Sequence, residues 1–305
     1  MDGPMSAQIS RDVAVAVPGG TLHAVVWEPE DATEDTPTIL AVHGVTSSHL
    51  AWAWVAPRLP GVRVIAPDLR GRGRSNAVEG PAGMAAHADD MARLLDTVGV
   101  ERATVAGHSM GGFVSVVFAH RYPERVSRLV LVDGGLPLAV PAGDPDEIMA
   151  AVLGPTAARL SMRFDDESAY LGFWRAHPAF TGAWETRLED YFAYDLVPAA
   201  DTPGRLRPAT SHAVTRDDTA DMTGGTTLAA ALRALSHPTV FLSVPRGLQN
   251  EEPGLYPPAH LKAVLAAHPA IEHRRVDGFN HYTVVMSDAG ADLVAGVLRA
   301  ELALV

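Results

Sequence analysis

The chain has 305 residues, 47% hydrophobic and 20% charged, with a formal net charge of -12 and no cysteine. The length is ample for a full core. The absence of thiols excludes disulfides, zinc–thiolate centres, iron–sulfur clusters and cysteine nucleophiles. The acidic balance argues against nucleic acid or an anionic membrane as the main partner, because binding there rests on clustered cations. No run approaches 18 apolar residues, and the opening residues lack the basic and apolar regions of a signal peptide, so a soluble cytoplasmic protein is expected.

Two β-patterned runs, Val13–Val17 and Thr21–Trp27, flank Pro18-Gly19-Gly20 and predict a hairpin. Apolar bursts of strand length follow at Thr38–Val42, Val62–Ala66, Ala103–Ala106, Arg128–Val132, Thr239–Val244 and Ile271–Val276. Several are too continuously apolar for a sheet with one wet face, as expected of parallel strands covered on both sides. Helical patterns lie between them: Ala85–Val98, Met110–Arg121, Leu228–Leu235, Pro258–Ala267 and Asp288–Leu302. Strand alternating with helix predicts a doubly wound, mostly parallel α/β sheet.

The alternation lapses between about Leu136 and His237, where no core strand is evident. Helix-friendly stretches (Asp146–Leu153, Glu167–His177, Thr186–Tyr194) alternate there with proline and glycine, and the interval holds nearly half of the chain's aromatics. A helical cap over residues 136–237 is expected, inserted after the sixth strand into a core formed by 1–135 and 238–305. The bland alternative is that these aromatics only pack the insertion onto the core.

Gly107-His108-Ser109-Met110-Gly111 follows a strand and opens a helix, the setting a G-x-S-x-G nucleophile elbow requires. The serine hydroxyl must stand clear on a tight turn, so its flanks must be small. The helix that starts just beyond it directs free N–H groups and a positive dipole end at the reacting oxygen. His43-Gly44-Val45 follows the third strand, and the amides of Val45 and Met110 are the candidate oxyanion donors. His43 itself is read as a prop for that loop. His281 lies in a loop after the last strand, where it reaches the carboxyl edge of the sheet, and is the candidate general base. His108 is expected to point away. The Gly71/Gly73 pair lacks the third glycine and the lysine of a phosphate loop.

These residues and their order resemble the α/β-hydrolase family, including Asp68-Leu69-Arg70-Gly71-Arg72-Gly73-Arg74-Ser75 and Asn280-His281. The resemblance implies a triad whose acid commonly follows the seventh strand. That loop offers Asn250, which cannot carry the charge, and Glu251. The other family position, the end of the sixth strand, is Asp133, which is preferred over Glu251; its alternative role is capping local turn amides. The implied function is an esterase or lactonase working through an acyl-enzyme, without metal or organic cofactor. Its substrate would be a moderately sized apolar ester or lactone, with Met110, Leu136, Trp174, Trp184 and Tyr191 as pocket candidates. Amide, thioester or carbon–carbon hydrolysis would use the same serine, and a non-catalytic binding protein is the reading from another class. A serine at the elbow argues against epoxide hydrolysis and dehalogenation, which place aspartate there. Either a monomer or a homodimer is compatible with the sequence.

Overall fold

A computed structural model describes residues 7–140 and 143–305. The chain opens with a hairpin, β1 (Gln8–Val17) antiparallel to β2 (Gly20–Pro29). In β1, buried Val13, Val15 and Val17 alternate with exposed residues, the period-2 signature of a strand wet on one face. There follow β3 (Thr38–Val42), β4 (Arg63–Pro67), α1 (Met84–Val98), β5 (Ala103–His108), α2 (Met110–Arg121) and β6 (Val126–Val132). The eight-stranded sheet has the order β1-β2-β4-β3-β5-β6 and then two late strands, β9 and β10. From β4 onward all neighbours pair in parallel. Every residue of β3 and β5 is buried, which explains their unbroken apolar runs.

Between β6 and β9 (Thr239–Ser243) the chain forms α3 (Pro145–Leu153), α4 (Pro155–Arg159), α5 (Glu167–Arg175) and α6 (Thr186–Ala193). A small antiparallel pair, β7 (Leu196–Pro198) with β8 (Leu206–Pro208), precedes α7 (His212–Gly224) and α8 (Thr226–Arg233). After β9 come α9 (Pro258–Ala267), β10 (Ile271–Arg275) and α10 (Asp288–Leu302).

Helix α8, at the end of the expected insertion, packs against α2 of the core with Leu228, Ala231 and Leu232 buried. Helix α7 has no apolar stripe: its buried residues are Thr215, Asp218 and Thr219, held by hydrogen bonds and an ion pair instead of hydrophobic contact. Periodicity had nothing there to register.

The α1 N-terminus shows how the insertion is fastened. Its exposed donors are met from α7: Gly83 N–H donates to Asp218 Oδ1 at 2.7 Å and Met84 N–H to Asp221 Oδ2 at 2.7 Å. Carboxylates belong at a helix N-terminus, where unsatisfied N–H groups and the dipole favour negative charge.

Candidate active site

Strand β5 lies centrally in the parallel sheet, between β3 and β6. At its carboxyl end the chain reverses into α2 through Ser109, at φ 55° and ψ -125°. The turn is feasible because its flanks are bare. A Cβ at Gly107 would stand 2.3 Å from the Gly111 carbonyl oxygen, and one at Gly111 would stand 2.1 Å from that of Val42. Among the described residues, the non-glycine residues at positive φ are Ser109, Asp133 and Asn250. Such conformations cost on the order of 1–3 kcal/mol and persist where the surroundings impose them, often at functional sites.

Asp133 follows β6 directly and is fully buried. Its N–H continues the ladder to Leu242 O at 2.8 Å, and its Oδ1 faces Val244 N–H at 3.4 Å. Its Oδ2 lies 2.7 Å from His281 Nδ1. The capping role and the histidine contact are thus both present, one on each carboxylate oxygen. Glu251 is otherwise engaged: its Oε2 accepts the Gln249 N–H at 2.6 Å within its own turn. Asn250 Oδ1 accepts from Asn280 Nδ2 at 3.2 Å, so the loop after β9 holds the residue next to His281 but offers it no charge. Asp277 pairs with Arg275 at the surface.

The His281 loop is fixed by its backbone, with its N–H on Arg246 O at 3.0 Å and its carbonyl accepting from His108 Nε2 at 2.8 Å. This corrects the expectation for His108. Its ring does not turn away but packs 4.8 Å from the His281 ring and lines the same cavity. Burial, reinforced by the neighbouring His281, pushes its basicity well down, which keeps it neutral and donating from Nε2. The proximity was hidden because the late loop, distant in sequence, folds back over the elbow. Ser109 Oγ and the His281 ring face this cavity together; no hydrogen bond between them is closed among the described residues. Catalytic hydrogen bonds in ligand-free sites are often long and tighten on binding.

Opposite the serine, Gly44 brings the loop after β3 so near that a Cβ there would sit 3.4 Å from Ser109 Oγ. His43 is completely buried, accepts the Leu69 N–H on Nε2 at 2.9 Å and donates from Nδ1 to Gly44 O at 2.7 Å. Both ring nitrogens are committed and burial pushes its pKa down to about 3, so it props the loop as a neutral ring. Arg72, also fully buried, donates from Nε to Val45 O at 2.8 Å, contacts Met110 Sδ at 3.9 Å, and reaches Asp218 Oδ2 of α7 at 2.6 Å. The amides of Val45 and Met110 have no backbone acceptor among the described residues.

Two lobes meet at Ser109. One is lined by Thr46, Ser47, Trp174, Tyr191, Tyr282 and His281 among others. The second is lined mainly by Phe113, Leu138, Val152, Leu153, Met222 and Leu255. Trp174 and Tyr191 therefore reach the cavity. Leu136 does not: it is buried in the core, its N–H and carbonyl both bonded to Tyr256 OH. Nor does Trp184, which stacks on Phe192 and donates to Glu189 at 3.2 Å. Met110 lines the apolar lobe, while Leu138 and Met222 were missed because nothing in sequence marks which face of a cap segment looks inward, and Tyr282 because it reads in sequence only as a neighbour of His281.

A family model described as the alpha/beta hydrolase fold matches residues 37–177, from β3 into the insertion. An uncharacterised protein of Mycobacterium tuberculosis is 41% identical over 100 residues, covering 32% of this chain and 29% of its own. The chain thus spans under a third of the first curated relatives it matches. A putative carbamate hydrolase of Caulobacter sp. (strain K31) is 35% identical over 38% of this chain and 42% of its own. The crystal structure of a hypothetical protein from Pseudomonas aeruginosa PAO1 superposes with a TM-score of 0.71 at 26% identity, over 96% of this chain and 99% of that one. No helix of the described residues is long and apolar enough to cross a membrane. With its strand order, its serine turn after β5 and these matches, the chain has the α/β-hydrolase fold.

Proposed function

We propose that the protein is a serine hydrolase that cleaves a carboxylic ester or lactone through an acyl-enzyme. The observation that carries this reading is the 2.7 Å contact between His281 and the buried Asp133, made beside a serine held in a strained turn. In this scheme His281 Nε2 removes the Ser109 proton as Oγ attacks the carbonyl carbon. Asp133 holds the proton on Nδ1 and stabilises the imidazolium. The amides of Val45 and Met110 receive the oxyanion, each such donor contributing about 3–4 kcal/mol in comparable sites. The leaving group takes the proton from His281, and water activated by the same ring then releases the acid. The donor set needs no metal or organic cofactor.

The ester preference rests on the chemistry of the cavity, which offers a largely apolar lobe beside Ser109. The relative named as a carbamate hydrolase supports the same attack on a nitrogen-bearing carbonyl as the second reading. The substrate in this reading is a small molecule, not nucleic acid or membrane, with its carbonyl placed at Ser109 where the two lobes meet.

The test is the intact mass after exposure to a small phosphonate ester, comparing wild type with Ser109→Ala. One adduct on wild type alone is expected, together with turnover of 4-nitrophenyl butyrate that the variant lacks. Folded wild type that takes no adduct and turns over no ester would overturn the reading and favour a binding role.

A further inference from the structure

We infer that the roof of the Ser109 cavity is a carboxylate-recognition site centred on Arg159, so that the substrate carries a free acid group at one end. The inference builds on the catalytic reading of Ser109 and adds a substrate class to it.

Arg159 closes α4 and is wholly buried. Only one of its nitrogens is used: Nη1 donates to Tyr170 OH and to Asp195 Oδ2. Asp195 is itself fully engaged, with Tyr170 OH on Oδ2 at 2.6 Å and the N–H and hydroxyl of Thr210 on Oδ1 at 3.1 and 2.9 Å. Nε and Nη2 have no partner among the described residues. Those two atoms form the side-on edge of the guanidinium, whose parallel N–H bonds match the two oxygens of a carboxylate.

The orphaned edge is not isolated. Trp174 Nε1, Tyr282 OH and Thr156 Oγ1 are likewise buried without a partner among the described residues. They are contiguous with it: the guanidinium carbon lies 5.0 Å from the Trp174 ring centre, and the Trp174 and Tyr282 rings are 6.4 Å apart. Trp174 and Tyr282 line the cavity beside Ser109, and Tyr282 stands 5.7 Å from the His281 ring. Buried polar atoms in folded proteins are nearly all bonded, and leaving one unmet is costly, more so when it is charged. The three nitrogens of this cluster can only donate and its two hydroxyls can donate as well, so an acceptor-only group is its chemical match. Asp195 balances the guanidinium charge and leaves its side-on edge free. Trp174 and Tyr282 line the cavity whereas Arg159 lies behind them, so an acid reaches the guanidinium only when the two rings move apart, and it collects the Tyr282 and Trp174 donors on the way. The apolar lobe takes the other end of the substrate.

Calorimetric titration of Ser109→Ala with glutarate, adipate, glutaramide and adipamide tests the site without turnover. At least one dicarboxylate is expected to bind tenfold or more tightly than its diamide, and Arg159→Gln, Tyr282→Phe and Trp174→Phe should each reduce that preference. If Arg159→Gln does not fold, the other two variants decide. In wild type, 4-nitrophenyl hemiglutarate should exceed 4-nitrophenyl butyrate in kcat/KM by a similar factor, and Tyr282→Phe should narrow the gap. Equal binding of acid and amide, or a preference untouched by Tyr282→Phe and Trp174→Phe, overturns the site. Hydrolysis of the neutral ester without acid preference overturns the site alone. Acid binding without any turnover or phosphonate adduct overturns the hydrolase reading alone.

Discussion

Asp133 and His281 are 148 residues apart in sequence, yet their side chains meet at 2.7 Å with both groups buried. The contact makes the two acid candidates separable by substitution. Asp133→Asn keeps the shape but removes the charge and favours the wrong histidine tautomer, so kcat should fall about 10⁴-fold. Glu251→Gln changes only a bond to its own turn and should leave kcat within a few-fold. Steady-state rates on one ester suffice, and a reversed ranking would move the acid to the loop after β9.

The apolar lobe carries a second expectation. Val152 lines it from α3, and Val152→Phe should shorten the space available to a chain growing away from Ser109. One methylene in such a pocket alters selectivity by about 1–3 kcal/mol. The octanoate-to-acetate ratio of kcat/KM should therefore drop at least tenfold while the acetate rate holds. A parallel loss on both esters would mean that this lobe does not hold the chain.

What was readable in the sequence follows from which interactions are local. The elbow was legible because Gly107, Ser109 and Gly111 meet a steric demand within five residues, between a continuously apolar strand and a helix. The parallel strands were legible because burial on both faces leaves unbroken apolar runs. Helix α7 was invisible because it is anchored by Asp218 and Asp221 to α1 rather than by an apolar stripe. The pocket lining was only half legible, since aromatic density marks a cap but not which ring faces inward: Trp174 does, and Trp184 does not. The contact of His108 with the His281 loop spans 173 residues, and no local pattern encodes it.

Arg72 gives a prediction about positioning. It holds the Val45 carbonyl at 2.8 Å and touches Met110, the two residues whose amides are assigned to the oxyanion, while its charge meets Asp218 of α7 at 2.6 Å. Arg72→Lys retains the charge but loses the planar fork that spans these partners. A displaced Val45 amide acts on the transition state more than on the ground state, so kcat should fall about 10- to 100-fold with KM little changed. Phosphonate labelling should slow in proportion. Loss of fold without that kinetic pattern in Arg72→Lys, or unchanged kcat, would confine Arg72 to tying α7 to the core.

The buried histidines set the acid side of stability. Burial holds His43 at about 3 against an ordinary 6.5, so between those values the unfolded chain binds a proton that the folded chain refuses. Stability must then fall as pH falls through that window, by about 3 kcal/mol at pH 4.5 from His43 alone. His108, pushed down by burial and by His281, acts in the same direction. His23 acts oppositely: burial lowers it, but its bonds to Asp68 and Asp12 prevail and raise it, so its contribution is present below 6.5 and is lost as pH rises through its folded value. Asp68 and Asp218 are held low by their partners despite burial, and their contributions are lost only once pH drops below the ordinary carboxylate value of 3.8. The interval from pH 6.5 to 4.5 therefore isolates the histidines. Urea unfolding at pH 7.5 and 4.5 should show a marked loss for wild type. His43→Gln should be less stable at pH 7.5 yet lose about 3 kcal/mol less on acidification. Equal losses in the two proteins would show that the His43 ring is not the group that resists protonation.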